Sequence, residues 1–219
     1  MRRFKLLAIT VLILGTGAFA AHAQTGDLSA VHGIPGLDEP VDVYVNGNFL
    51  FSFDFGDTYG PVPVDIGTYA LEVYYQNAPV PGLSGTVEVE EGGSYTAVAH
   101  LTEDGLSLAP LALFVNEVSP IRRWFTRLQI HHLAAAPPVD ASIRRGASRF
   151  PQLELSGLSN GDQATATDIL LGRYNIGLLA GDSEVFNTGK LRLRFGSNTA
   201  VYAVGVFPDS FELIYLPLN

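Results

Sequence analysis

The chain has 219 residues, with 13 Lys+Arg against 22 Asp+Glu for a formal charge of −9 at pH 7, and it contains no cysteine. A disulfide framework, a thiol nucleophile and lipid attachment at a processed cysteine are therefore excluded, and so acidic a balance argues against nucleic acid, whose phosphates would repel it. Thirteen prolines and 23 glycines, among many aromatic and β-branched residues, favour short strands and turns over helices.

Arg2, Arg3 and Lys5 precede an apolar run from Leu6 to Ala20, and Ala21-His22-Ala23 before Gln24 has the small-x-small pattern of a signal-peptidase site. The run is shorter than the ~20 apolar residues a spanning helix needs. Residues 1–23 are thus expected to be a cleaved signal peptide, and the mature chain an exported protein of the periplasm, cell surface or medium. No later stretch approaches a spanning length without a charge or a Gly/Pro break, so no transmembrane segment is expected after cleavage.

Val41, Val43 and Val45 alternate with Asp42, Tyr44 and Asn46, which places the two sets on opposite faces of a strand. Asn46-Gly47 suits a type I′ turn, and Phe49, Phe51, Phe53 and Phe55 then alternate on a second strand, giving a β-hairpin. The four phenylalanines are expected to face the core. Further strands are expected at Tyr69–Tyr75, Thr86–Glu90, Tyr95–Leu101 and Leu111–Val115, about seven in all, separated by turns such as Pro79-Val80-Pro81-Gly82 and Glu91-Gly92-Gly93.

With Arg2, Arg3 and Lys5 set aside, ten cations face 22 acids, a formal −12. From Gln24 to Ser119 there are 14 acids and no lysine or arginine; all ten cations fall after Pro120, beside 8 acids. Such a break predicts two domains, residues 24–119 and 120–219.

The second part repeats the plan of the first. "VHGIPGLDEPVDVYVNG" (residues 31–47) is echoed by "IHHLAAAPPVDASIRRG" (residues 130–146). Gly161-Asp162 echoes Gly56-Asp57, and Gly172-Arg173-Tyr174 echoes Gly67-Thr68-Tyr69 at the same spacing. Leu191–Phe195, Ala200–Val206 and Phe211–Tyr215 complete the expected strands. An internal duplication of an all-β, immunoglobulin-like antiparallel sandwich accounts for the pattern.

These residues resemble the bacterial family called domain of unknown function 4397. Its repeats open on a phrase like V-H-A-S-P-D-A-P-x-V-D-V-Y-V-D-G and continue through a Gly-Asp turn, a P-A-G-T-Y strand start and a G-x-x-Y-T-V-x-A strand. Val31, His32, Pro40–Val45 and Gly47 fit the opening, with one extra residue between His32 and Asp42; Gly67-Thr68-Tyr69, Gly92, Tyr95, Thr96, Val98 and Ala99 fit the rest. In the second copy Ala141-Ser142-Ile143-Arg144-Arg145 replaces the V-Y-V core. The resemblance covers about residues 28–206 and implies tandem sandwiches in exported or envelope proteins, with no known activity.

Several groups invite a chemical role. His32 with Asp42 and His131 with Asp140 would suit a metal or an acid–base pair, or would tie down the strand-entry loop by hydrogen bonds, which is the expectation here. Adjacent His131 and His132 point to opposite faces of a strand and cannot share an ion, and His100 has no evident partner. Asp38, Glu39 and Asp42, Asp54 and Asp57, or Glu88, Glu90 and Glu91 offer oxygen ligands for Ca2+, though none matches a known calcium loop, and a solvated acidic face is expected. Arg122, Arg123 and Arg127 around Trp124 and Phe125 are expected to plug the domain junction, with Trp124 buried and the guanidinium groups facing acids of the first domain.

No H-E-x-x-H helix or phosphate-binding glycine loop is present and there is no cysteine nucleophile, so no catalytic, cofactor or metal residue is assigned and the chain is read as a non-enzyme. Its expected role is structural or interactive, by way of protein or a cell-surface glycan, with salt-sensitive domain clamping or self-association. A carbohydrate-binding module using Tyr44, Tyr59 and Tyr74 is the alternative, and a hydrolase with scattered carboxylates a more distant one. The loops Ile34–Glu39 and Ala134–Pro138 are the expected place to look for binding residues.

Overall fold

A computed structural model describes residues 24–148, 150–181 and 183–218; the expected signal peptide, residues 1–23, lies outside them. The described chain is all-β. Its first part folds as β1 (Thr25–His32), β2 (Val41–Val45), β3 (Asn48–Phe53), β4 (Thr58–Asp65), β5 (Gly67–Tyr75), β6 (Ala78–Val89), β7 (Ser94–Ala99) and β8 (Ala112–Val115). The second continues with β9 (Phe125–His132), β10 (Val139–Arg145), β11 (Leu153–Leu158), β12 (Asp162–Leu170), β13 (Gly172–Ala180), β14 (Ser183–Asn187), β15 (Leu191–Leu193), β16 (Asn198–Val204) and β17 (Glu212–Pro217).

Four sheets result, in the orders β4-β1-β7-β8, β3-β2-β5-β6, β12-β9-β16-β17 and β11-β10-β13-β14, with β15 also paired to β13. The first and third have the same topology, as do the second and fourth, so the duplication read from the sequence is a duplication of sandwiches. Pairing is antiparallel throughout except where β1 meets β7 and β9 meets β16, each in parallel. Among the described residues no strand of the first part pairs with one of the second.

The repeated landmarks have physical causes. Gly56 and Gly161 have φ of 87° and 96°, a region that favours glycine, and each donates its N–H to the carbonyl of the strand before it, Gly56 to His32 at 2.9 Å and Gly161 to His132 at 2.8 Å. The next residue closes the turn: Asp57 accepts from the Asp54 N–H and Asp162 from the Ser159 N–H. Tyr69 and Tyr174 each donate from the ring hydroxyl to a carbonyl four residues back, Asp65 at 2.8 Å and Leu170 at 2.7 Å.

Alternation supplies the cores. Val41, Val43, Leu71, Val73, Val87 and Val89 meet Leu28, Ala97 and Ala99 in the first sandwich. In the second, Val139, Ala141, Ile143, Tyr174 and Ile176 meet Leu128, Ile130 and Val201. The altered segment Ala141–Arg145 forms a strand all the same, because Val139, Ala141 and Ile143 keep the inward face apolar.

Three expectations need correction here. The phenylalanine stripe is broken by a bulge: Val43 faces Phe51 but Tyr44 faces Phe49, so Leu50 is the extra residue and everything before it changes sides. Phe53 is buried and Phe51 half-buried against the core, whereas Phe49 is 57 % exposed on the outer face. Pro79–Gly82 is not a turn but lies inside β6; the turn is Gln76-Asn77, with φ of 51° and 63°. Strand β4, with Pro61 and Pro63, was not expected as a strand. Both proline-bearing strands lie at sheet edges, where a missing N–H is tolerated.

A third apolar layer lies between the sandwiches. Val31 and Val98 of the first pack with Leu133, Ala200, Tyr202, Val204, Ile214 and Leu216 of the second, with Phe55, Ala112 and Phe114 at the margin. The central strands β1, β7, β9 and β16 of the two facing sheets are therefore buried on both faces. This is why every residue of β7 is buried and why β9 and β16 lack clean alternation. The sandwiches form four stacked layers.

Candidate functional site

The histidines fix the repeat's true register. Gly33 N–H bonds Ala99 O and Leu133 N–H bonds Ala203 O, both at 2.8 Å, and His32 pairs with Ala99 as His132 pairs with Ala203. His32 is thus the counterpart of His132, and Val31 that of His131. The sequence match of His32 to His131 is off by one residue. His32 reaches Asp42 in ten positions and His132 reaches Asp140 in eight, so matching the words hid a shorter loop.

Neither His32 nor His131 pairs with the carboxylate that a metal or acid–base role would need. His32 is buried, and its Nδ1 accepts from the Ile34 N–H at 3.3 Å; desolvation pulls its pKa down to about 4, opposed by Asp54 and Asp57. Asp42 instead accepts from the Ser52 hydroxyl, and Asp140 from the Gly157 N–H at 2.7 Å. His132 Nε2 lies 3.3 Å from Pro137 O. His131 lies between the sandwiches, stacked on Tyr202 and edge-on to Phe114, each with centroids 4.4 Å apart. Both of its ring nitrogens are buried without a hydrogen-bond partner, and burial holds its pKa near 4. His100 Nδ1 pairs with Leu101 O at 2.9 Å.

The junction carries a cluster of hydrogen bonds around residues 116–119. Asn116 Nδ2 donates to Ser94 Oγ at 3.1 Å and Thr96 Oγ1 at 2.9 Å. Gln129 clamps Glu117 from both amide atoms, accepting its N–H at 2.8 Å and donating to its carbonyl at 3.0 Å. Asn198 and buried Arg127 donate to the same carbonyl, and Arg127 also to Ser119 O. At the other end of the strands, Asn160 Nδ2 donates to Leu101 O and Ala134 O, one from each sandwich. The joint is apolar and amide-bonded; the ion pair Arg127–Glu117, at 3.9 Å, is a minor part. Among the described residues Arg127 is the one cation of the second part within ion-pair distance of an acid of the first.

In the loop Ala134–Pro138, Ala134 and Ala136 are buried with Ala203 against Phe207, Phe211 and Leu213, while Pro137 and Pro138 are exposed. In the loop Ile34–Glu39, Ile34 is buried, while Gly36, Leu37, Asp38 and Glu39 are exposed. Among the described residues no three His, Asp or Glu side chains converge as a metal site would require. An apolar cavity of about 110 Å³ beside His132, walled by Val139, Leu178, Phe186, Phe207 and Phe211, has little that would orient a polar substrate.

Two aromatic surfaces stand out; in the first Phe49 is exposed while Tyr44 and Tyr74 are half-buried. On the outer face of sheet β3-β2-β5-β6, Asp42 lies opposite Tyr74 and Tyr44 opposite Glu72. The two tyrosine rings touch at 4.4 Å with planes 38° apart, and Phe49 meets Tyr44 edge-on at 5.8 Å. The bulge is what brings Phe49 to this face, which alternation alone could not show. Tyr59 is not part of it: its ring stacks on Phe51 at 3.8 Å and 11°.

The second surface corrects the expected plug at Trp124, Arg122 and Arg123, whereas Arg127 is buried at the junction and faces Glu117 of the first part. Trp124 is 56 % and Phe195 60 % exposed, with rings 6.0 Å apart. Arg123 lies 4.9 Å over Trp124 and Arg122 5.4 Å over Phe125, while Arg122 pairs at 4.0 Å with Asp168 of its own sandwich. Trp124 has a φ of 73°, a left-handed conformation that costs a bulky residue about 1–3 kcal/mol.

Residues 26–142 match the family described as a domain of unknown function, DUF4397. The chain belongs to this family. The DUF4397 match covers the first sandwich from β1 onward and ends at Ser142 inside β10, within the segment that departs from the repeat phrase. Among solved structures the chain is similar, at 12 % identity and a TM-score of 0.27, to a Bacteroides ovatus protein described as a candidate for cell adhesion, over 87 % of this chain and 95 % of that one. No curated protein matches it.

Proposed function

We propose that this DUF4397 chain is a non-catalytic exported interaction protein, in which two fused sandwiches form a stiff block and the outer face carrying Tyr44, Tyr74 and Phe49 does the binding. The observation that carries this reading is that aromatic face: three rings lie on the solvent side of a sheet whose inner side is already filled. Aromatic side chains supply much of the contact energy at protein surfaces. The chemistry-bearing histidines support the same reading, since all four in the described chain are buried and their pKa values are lowered by that burial. Sugar recognition by stacking favours flat, accessible rings; the tilt of Tyr44 against Tyr74 and the covering of Tyr59 by Phe51 favour a protein surface instead.

Cell fractionation with N-terminal sequencing, followed by co-sedimentation of the purified mature chain with isolated envelopes, tests the proposal. The expected result is a chain that begins at Gln24, lies outside the cytoplasm, and binds envelopes less well as Tyr44→Ser/Tyr74→Ser. A cytoplasmic chain, or envelope binding indifferent to both tyrosines, would contradict it.

A further inference from the structure

We infer that the outer aromatic face of the first sandwich receives the Trp124 knob of a second copy of this chain, so that molecules join head to tail. The inference rests on the reading of that face as a binding surface and names its partner.

The two surfaces are complementary in chemistry. The face sets Tyr44 and Tyr74 between the carboxylates of Asp42 and Glu72, in a part of the mature chain that has 14 acids and no lysine or arginine. Among the described residues, Glu117 alone of those acids has a cation of the chain within ion-pair distance. Aromatic rings beside unpaired carboxylates suit a guanidinium, which is drawn both to the ring face and to the charge. The knob offers that group: Arg122 and Arg123 stand on an exposed platform with Trp124 and Phe195, in the part with a formal +2.

The surfaces cannot satisfy each other within one molecule. Sheet β4-β1-β7-β8 lies between sheet β3-β2-β5-β6 and the second sandwich, and the knob sits at the start of β9, across that layer. A contact between different surfaces of two copies does not close on itself by twofold symmetry; it leaves one free face and one free knob, and further copies add on.

Light scattering on size-exclusion fractions of the mature chain tests this, at about 20 mM and about 500 mM salt, across which the screening length falls severalfold. The expected result is a mass that rises with concentration at low salt and returns to the monomer at high salt. Arg122→Glu/Arg123→Glu and Tyr44→Ala/Tyr74→Ala should each stay monomeric with unchanged circular dichroism. Mixed together, these two variants retain one intact knob and one intact face, and should give a species of twice the monomer mass that grows no further.

A wild-type chain that is monomeric at low salt overturns the proposal, as does a mixture that fails to pair although both variants are folded. If the wild type remains monomeric while its tyrosines still bind envelopes, the face stands as a binding surface and the second copy is not its partner. If such a monomer binds soluble polysaccharide through the same tyrosines, the partner is a glycan and the proposal is likewise wrong.

Discussion

His131 lies flat on Tyr202, with ring centroids 4.4 Å apart and planes 18° from parallel, in the layer where the two sandwiches meet. Their counterparts in the first sandwich are Val31 and Val98, which pack in that same layer. Equivalent sheet positions thus carry small side chains in one sandwich and large aromatic ones in the other. Such size asymmetry lets two related faces interlock instead of clashing.

Both nitrogens of His131 are buried without a partner, an arrangement that costs about 1–3 kcal/mol. His131→Phe keeps the ring on Tyr202 and removes the polar atoms. It is expected to raise stability by about 1–2 kcal/mol at pH 7, as read from urea unfolding. Destabilisation of that size would show that the imidazole makes a bond the apolar ring cannot replace.

The same burial sets an acid limit. His32 and His131 are held near pKa 4 when folded, against about 6.5 unfolded. Above pH 6.5 both states are neutral and nothing is at stake. As pH falls from 6.5 toward 4, the unfolded chain takes up protons that the native chain excludes, and stability declines by up to about 1.4 kcal/mol per unit for each group. His100 and His132 are shifted in the same direction. Unfolding midpoints at pH 7, 6 and 5 should fall in that order, and His131→Phe should flatten the fall. A flat profile in the wild type would contradict the assignment.

Gly33 brings the two sandwiches within backbone contact. A Cβ there would stand 2.8 Å from Val204 Cγ1 and 3.0 Å from Ala99 O, and the Gly33 carbonyl accepts from the Gly205 N–H at 3.3 Å. Gly33→Val is expected to cost about 1–3 kcal/mol by overpacking and to speed hydrogen exchange in β16. Unchanged exchange would mean that the layers tolerate separation there.

Gln129 is the amide that fixes the connecting segment. Gln129→Leu leaves the part-buried Glu117 N–H without its acceptor and the Glu117 carbonyl without one donor and should cost about 1 kcal/mol. The exposed Gln163 of the neighbouring strand serves as control, and its replacement should change stability by less than about 0.5 kcal/mol. Equal effects at the two positions would remove the clamp from the account.

Much of this architecture was legible in the residues. The Asn46-Gly47 hairpin, the paired Gly-Asp turns and the two Gly-x-Tyr strand starts could be read because each is local: a positive φ, a side chain closing its own turn, a hydroxyl reaching back four residues. What escaped depended on contacts far apart in sequence. The bulge that turns Phe49 outward depends on how β2 and β3 register. Burial of both faces of β9 and β16 depends on the neighbouring sandwich, and it erased the alternation that would have separated Val201, facing its own core, from Tyr202, facing the junction. Trp124 misled because a lone tryptophan is usually buried, and its left-handed backbone carries no mark in the sequence.

The fused block is the claim on which the proposed binding role rests, because it holds the aromatic face and the knob in fixed relation. Calorimetry of residues 24–219 at pH 7 measures it most directly. The account predicts one transition for both sandwiches, with calorimetric and van't Hoff enthalpies in agreement. Two resolved transitions, each with the enthalpy of a single sandwich, would contradict it.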